Sequence, residues 1–340
     1  MSVKVRSLAL AALCAAPVQA QTISWFEEDY NPNPAPGDVV LPMPCEGAIT
    51  FRRIATAPAG EGIYADQPVW LGWPGAEQTA FRESEWRAFV SGGLEDGEGR
   101  FYLLGKYELT TGQHQAMAHV TDGAPCPDDP DMGLPKDRLN WHDAVAFTSA
   151  YSAWLLKTHP EAIPGNTRGD AFARLPTEAE WEFAVRGGQD VTDSLRRDER
   201  FPMSGPVSDY AWHSGTGSAD NQLQFGGLKL PNPLGLYDTY GNVAEIVLDP
   251  FRLNKAGRMH GQPGAFIVKG GSISTEREDL RSGTRQEVPF FAAALAEPLV
   301  RPANVGMRLA ISSTATGDQA HAERLANTWP EIVDAAPGED

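Results

Sequence analysis

The sequence predicts a mixed fold in which short strands and a few helices are joined by long irregular loops. Three observations predict it. Compact apolar runs of strand length recur at Ala48 to Ile54, Val69 to Gly72 and Phe101 to Leu109. Two segments with helical apolar spacing carry start signals, one after Asn140 and one after Thr177. The 340 residues include 34 Gly and 27 Pro, which punctuate the chain, and few periodic signals occur from Gln189 to Leu234. No internal repeat is visible.

The chain opens with Lys4 and Arg6, an apolar run from Leu8 to Ala16, and Val18-Gln19-Ala20. This is the layout of a secretory signal over residues 1–20, with a mature start near Gln21 in an exported compartment, most simply a bacterial periplasm. The run is too short to span a bilayer, and Leu13 before Cys14 argues against a lipid anchor. Loss of Lys4 and Arg6 moves the formal charge from −17 to −19 (−17 minus 2). So acidic a surface repels nucleic acid and anionic lipid, and either a cationic partner or simple solubility accounts for it. No membrane insertion is expected.

Residues 21–99 read as an N-terminal extension packed on the core. Asn31-Pro-Asn-Pro-Ala-Pro36 is an extended lead expected to lie along the surface, because proline cannot donate to a ladder and turns its predecessor away from helix. Ser84 is placed to cap a short helix through Val90, and Gly97-Glu-Gly99 is a turn. After cleavage two cysteines remain, Cys45 and Cys126. In an oxidising compartment they form either a staple from the extension to the core or a redox or copper pair.

From residue 100 the elements are longer. The Phe101–Leu109 strand leads to Thr110 or Thr111, either of which can cap a helix to about Val120. Asn140 caps the best helix in the chain, with Ala144, Val145, Phe147, Tyr151, Trp154 and Leu155 on one face. Thr177 and Glu180 form a capping box, Trp181 and Ala184 follow at helical spacing, Arg186 suits the last turn, and Gly187-Gly188 can stop the helix in the left-handed region. Residues 312–340 are a tail with a helix from Gly317 to Trp329 and a frayed acidic end.

Four segments in order carry a resemblance: Arg174-Leu-Pro-Thr-Glu-Ala-Glu-Trp-Glu-Phe-Ala-Val-Arg-Gly-Gly188, Gly235-Leu-Tyr-Asp-Thr-Tyr-Gly-Asn-Val-Ala-Glu245, Val268-Lys-Gly-Gly-Ser272 and Asn304-Val-Gly-Met-Arg-Leu-Ala310. Over residues 100–311 the chain resembles the formylglycine-generating enzyme, or sulfatase-modifying factor, family. The resemblance implies an α+β, C-type-lectin-like fold with small antiparallel sheets, few helices and long ordered loops.

Active members of that family oxidise a substrate cysteine with a copper-binding cysteine pair after the third motif. The corresponding positions here are Leu280 and Arg285. Neither side chain offers the soft thiolate that Cu(I) selects, so no copper is expected. Other relatives hold iron with histidines, but His114, His119, His142, His159, His213, His260 and His321 show no His-x-His or His-Glu-x-x-His spacing. Of these, His260 follows the second motif most closely.

The resemblance places a structural calcium ion on Asp238, Gly241, Val243 and Glu245; the alternative is that the two acids hydrogen-bond loop amides. A second calcium loop would fall near Ala219-Asp-Asn-Gln222, where a downstream acidic ligand is missing. Arg281, Arg285 and Arg308 either form an anion-binding floor or pair internally with Glu245, Asp249 or Glu287, and Trp141, Trp181 and Trp212 serve the core or a ligand platform. The expectation is an exported, non-catalytic binding or regulatory protein. Its partner would be a periplasmic protein, such as the exported part of a membrane threonine kinase promoted in type VI secretion. The alternative is a metal-dependent oxidoreductase of the kind that matures siderophores.

Overall fold

The computed structural model describes residues 25–59, 65–72, 85–255, 258–292, 299–316 and 318–335. The secretory segment, Ser84 and residues 336–340 lie outside the described residues. The elements run α1 (Glu27–Tyr30), β1 (Asp38–Met43), β2 (Gly47–Pro58), β3 (Gln67–Leu71), β4 (Trp86–Val90), β5 (Leu94–Asp96), β6 (Gly99–Gly105), α2 (Thr111–Asp122), α3 (Trp141–Thr158), β7 (Phe172–Arg174) and α4 (Glu178–Val185). They continue with β8 (Ala244–Pro250), β9 (Leu253–Lys255), β10 (Arg258–His260), β11 (Ala265–Lys269), β12 (Gln286–Pro289), β13 (Val305–Met307), β14 (Ala310–Ser312) and α5 (Gln319–Ala335).

Two sheets organise the molecule. The larger has six strands in the order β1-β2-β6-β14-β7 with β5 on β6, and the smaller has the order β12-β11-β8-β13. Their strands are antiparallel, as expected, except β13 with β8, which run parallel. Strands β1, β2 and β5 precede residue 100, so the extension supplies half of the larger sheet, and Leu103 of β6 pairs both Arg53 of β2 and Ile311 of β14.

Helix α4 sits between the two sheets. Trp181 and Val185 join a core cluster with Tyr240, Val247 and Ile267, whereas Phe183 and Ala184 join another with Tyr102 and Leu104. Every residue of the helix except Ala179 is buried, so its charged positions must find partners inside. The capping boxes form at Thr177/Glu180, Asn140/Asp143 and Thr110/Gln113. Gly187 has φ +101°, which ends α4 where an L side chain would be strained. Helix α3 lays Tyr151 and Leu155, both fully buried, against the main core.

Several boundaries differ from expectation. Residues 86–90 form a strand paired with β3, not a helix, because Trp86, Ala88 and Val90 turn inward while Arg87 and Phe89 face solvent with a period of two. Strand β6 stops at Gly105; beyond it Lys106 and Glu108 turn their buried side chains to other loops. The tail helix runs on through Pro330 to Ala335. The proline-rich lead is anchored and not merely laid on the surface: Asn31 is 3% exposed, and Lys106 Nζ binds Asn31 Oδ1, the Asn33 carbonyl and Asp38 Oδ2. A disulfide joins Cys45, between β1 and β2, to Cys126, after α2, with Cα atoms 5.7 Å apart.

Candidate functional site

Leu280 and Arg285, the residues expected at the family's cysteine positions, are both absorbed by the interior. Leu280 is fully buried in the cluster of Trp181 and Tyr240. Arg285 donates from Nε to Glu178 Oε1 at 2.7 Å and from Nη1 to the Arg252 carbonyl at 2.9 Å. Its guanidinium carbon lies 4.9 Å from the ring centres of both Trp86 and Phe251.

That arginine belongs to a buried ionic cluster assembled by α4 and β11. Lys269 Nζ sits 2.9 Å from Glu182 and 3.3 Å from Glu178, and Arg186 lies 2.5 Å from Glu182. The Glu178 amide donates to Asp249 Oδ2 at 2.6 Å. Three cations thus face Glu178 and Glu182 in a space where every charge needs a counter-charge, while Asp249 takes the Glu178 amide. Arg281 pairs outside this cluster with Glu199 at 3.1 Å. Internal pairing is therefore the arrangement of all three motif arginines, with Glu178 and Glu199 taking places the sequence reading assigned to Asp249 and Glu287.

The second motif folds into a tight loop behind β8. Gly241 has φ +79°, and a Cβ there would fall 1.9 Å from the Trp212 carbonyl oxygen, so only glycine fits. Glu245 accepts four hydrogen bonds, three from Arg308 and one from Trp181 Nε1. These fill its lone pairs and leave no oxygen for a cation. Asp238 differs: Oδ2 accepts from the Gly227 amide at 2.7 Å, while buried Oδ1 has no hydrogen-bond partner among the described residues. Burial pushes the Asp238 carboxyl up to about 6.

Beneath the loop lies a third acid. Glu108 accepts from the Val243 amide at 3.0 Å and from Asn242 Nδ2 at 2.7 Å, and burial, then the neighbouring Asp238 and Glu245, push its carboxyl well up. The test for calcium divides the four predicted residues. Asp238 fits a hard cation through its free oxygen and its excess of negative neighbours, whereas Glu245 is already saturated by Arg308 and Trp181. In the 219–222 turn, Asp220 and Asn221 have positive φ, and Asp220 Oδ1 accepts from the Gly217 amide.

The histidines scatter. His114 stacks on Phe147, His142 meets Trp141 and Phe290, His213 bonds the Ser214 carbonyl, and His321 meets Arg168. His260 stands exposed on the β9–β10 hairpin, with Nε2 3.4 Å from the Lys255 carbonyl. Trp181 is core, Trp141 bonds the Leu248 carbonyl, and Trp212 lies under Lys229 Nζ at 3.9 Å.

A concavity lies elsewhere, at the seam between the extension and the loops around residue 226. This pocket of about 320 Å³ is lined by aromatic Tyr30, Tyr107 and Phe225 and by acidic Glu28, Asp29 and Glu108. Among the described residues, no Lys, Arg or His lines it. Phe225 and Leu228 are 43% and 61% exposed at its mouth. The wall is braced by Tyr107 stacked on Tyr237 at 5.2 Å and by the Tyr107 hydroxyl accepting from the Asn33 amide. No local sequence pattern announces this pocket, because it needs α1, the β6 exit and the 225–228 loop to meet.

A model of the sulfatase-modifying factor enzyme 1-like domain matches residues 78–313, more than half of the chain. The chain belongs to the sulfatase-modifying factor family. Within curated proteins it is 33% identical over 125 residues to a formylglycine-generating enzyme from Thermomonospora curvata, covering 34% of this chain and 33% of that enzyme. It is 29% identical over 182 residues to a Paenibacillus barcinonensis protein called chaperone protein LppX, covering 42% of this chain and 60% of that protein. The chain thus spans less than two thirds of either relative. Among solved structures, Treponema denticola variable protein 1 superposes with a TM-score of 0.54 at 23% identity, covering 81% of this chain and 99% of that one, a likeness of fold alone. In this sulfatase-modifying factor domain the family match begins at residue 78, inside the segment read as an extension.

Proposed function

We propose that this sulfatase-modifying factor protein is an exported, non-catalytic binding or regulatory protein. The observation that carries the reading is the fixed interior role of Leu280 and Arg285: one fills a hydrophobic cluster and the other neutralises Glu178. A side chain that balances a buried charge cannot exchange electrons with a substrate thiol.

The seam pocket is the binding site in this reading. Aromatic faces, the acidic Glu28 and Asp29, and the absence of lining cations among the described residues suit a cationic segment of a partner protein. The resemblance to exported paralogues linked to type VI secretion directs the partner search first to the periplasmic part of a threonine kinase. Calcium is proposed as a structural ion, held by Asp238 with the backbone carbonyls of Gly241 and Val243, and supplying charge neutralisation to the loop.

Incubating the purified protein with a cysteine-containing sulfatase peptide and oxygen tests the reading. The expected result is no aldehyde product and no stoichiometric copper or iron by elemental analysis. Aldehyde formation overturns the proposal, and bound iron or copper favours an oxidoreductase with altered metal chemistry.

A further inference from the structure

Outside the family motifs, among the described residues, the structure brings together one set of three metal-type ligands: the two sulfurs of Cys45 and Cys126 and a ring nitrogen of His119, all within 4.8 Å of one another. They come from three places. Cys45 is in the β1–β2 turn, His119 is in the last turn of α2, and Cys126 is in the loop beyond it. His119 and Cys126 are exposed, so a solution reductant can reach the bond.

We propose that the disulfide gates a zinc site: oxidised, it is a staple, and reduced, it presents two thiolates and the His119 imidazole to Zn²⁺. The chemistry is that of a tetrahedral Cys₂His set with one open position. His119 already has one ring nitrogen held by a backbone carbonyl, as metal-ligating histidines do. Its Nδ1 lies 2.6 Å from the Ala124 carbonyl oxygen, which makes Nδ1–H the donor and leaves Nε2 as the lone-pair nitrogen. Both cysteines are held near one another by more than their own bond, since Cys45 sits in a three-residue turn between paired strands and Ala124 is tied to α2 by its amide.

The steps balance. A dithiol reductant R(SH)₂ transfers two electrons and two protons to the disulfide, giving two cysteine thiols and the cyclic disulfide of R. Zn²⁺ then displaces the two thiol protons, and neutral His119 adds its lone pair without proton release.

The test uses the purified mature chain, reduced, freed of reductant under nitrogen and titrated with Co²⁺ and then Zn²⁺. The expected result is one equivalent of Co²⁺ giving thiolate-to-cobalt and tetrahedral d–d bands that Zn²⁺ bleaches, with neither seen in the oxidised protein. His119→Ala should weaken Zn²⁺ binding by at least about tenfold while leaving the oxidised fold unchanged. Absence of the bands from reduced protein, unaltered affinity in His119→Ala, or loss of the native near-ultraviolet circular dichroism on reduction would each overturn the proposal. None of these outcomes depends on whether the family reaction is retained.

Discussion

Arg308 holds Glu245 through three hydrogen bonds, with Nη2 2.7 Å from Oε1 and Nε 3.1 Å from each oxygen. The guanidinium also donates to the carbonyls of Gly105 and Tyr237, so one side chain ties β8, the end of β6 and the second motif together. Both groups of the pair are essentially inaccessible to solvent. Replacing Arg308 with Met would strand Glu245 beside Glu108 and Asp238, three buried acids that have lost their arginine. The expected cost is about 3–5 kcal/mol, read from urea unfolding, and Arg308→Lys should recover only part of it because an ammonium cannot fork onto both oxygens. Equal stability of Arg308→Met and wild type would show that the pair is not a keystone.

Restoring sulfur at the family positions should not restore chemistry. Leu280→Cys with Arg285→Cys removes the cation that balances Glu178, whose remaining partner Lys269 is shared with Glu182. The double variant is expected to lose about 3 kcal/mol or more, most of it from Arg285, and to show no aldehyde formation on a cysteine peptide. Guanidinium unfolding of the two single variants checks the division. A stable double variant that turns over substrate would contradict it.

Calcium should act through Asp238. Its buried Oδ1 without a partner costs about 1–3 kcal/mol, which a bound cation would relieve. In thermal unfolding, saturating Ca²⁺ is expected to raise the transition temperature of wild type and to leave Asp238→Asn unmoved. Without calcium, the Asn variant should be at least as stable as wild type. An identical calcium shift in both proteins would remove Asp238 from the site.

Acid should loosen the extension. Burial pushes the Asp38 carboxyl up, but hydrogen bonds from Lys106, the Ala35 amide, Asn31 and Arg52 outweigh it and hold the group below its usual value of 3.8. With the folded value depressed, the unfolded chain binds the proton more tightly, so the stabilisation is complete above about pH 4 and disappears as pH falls through the folded value. Unfolding free energies measured from about pH 5 down to 2 should therefore fall more steeply for wild type than for Asp38→Asn. Parallel curves would mean that Asp38 is not linked to folding.

Stacking gives a direct check on the seam pocket. Phe225→Ser removes an exposed ring from the mouth and should leave stability within about 0.5 kcal/mol, as surface changes do. It should nevertheless weaken binding of a lysine-rich peptide measured by calorimetry. Unchanged affinity would place cationic recognition elsewhere.

Much of the architecture was legible because it is local. Thr110, Asn140 and Thr177 announce their helices through side chains three residues from the amides they cap, and Gly187 announces a stop through its own backbone. Residues 86–90 are not legible as a strand without a neighbour: their alternation becomes decisive only once β3 offers edge groups to pair with. Glu245 shows the same limit in the site. Its position in the motif is plain in the sequence, but its occupation by Arg308, 63 residues away, is not.

The amino-acid sequence by itself determined the family, the helix caps and the absence of thiols at two positions, since each depends on residue identity in a short frame. The tertiary structure alone decided that Arg285 neutralises Glu178, that Lys106 anchors the proline-rich lead, and that a pocket of mixed aromatic and acidic character opens at the seam. Those outcomes turn on which distant charges share one low-dielectric space. Burial forces such groups to find partners, and only the folded chain specifies which ones are within reach.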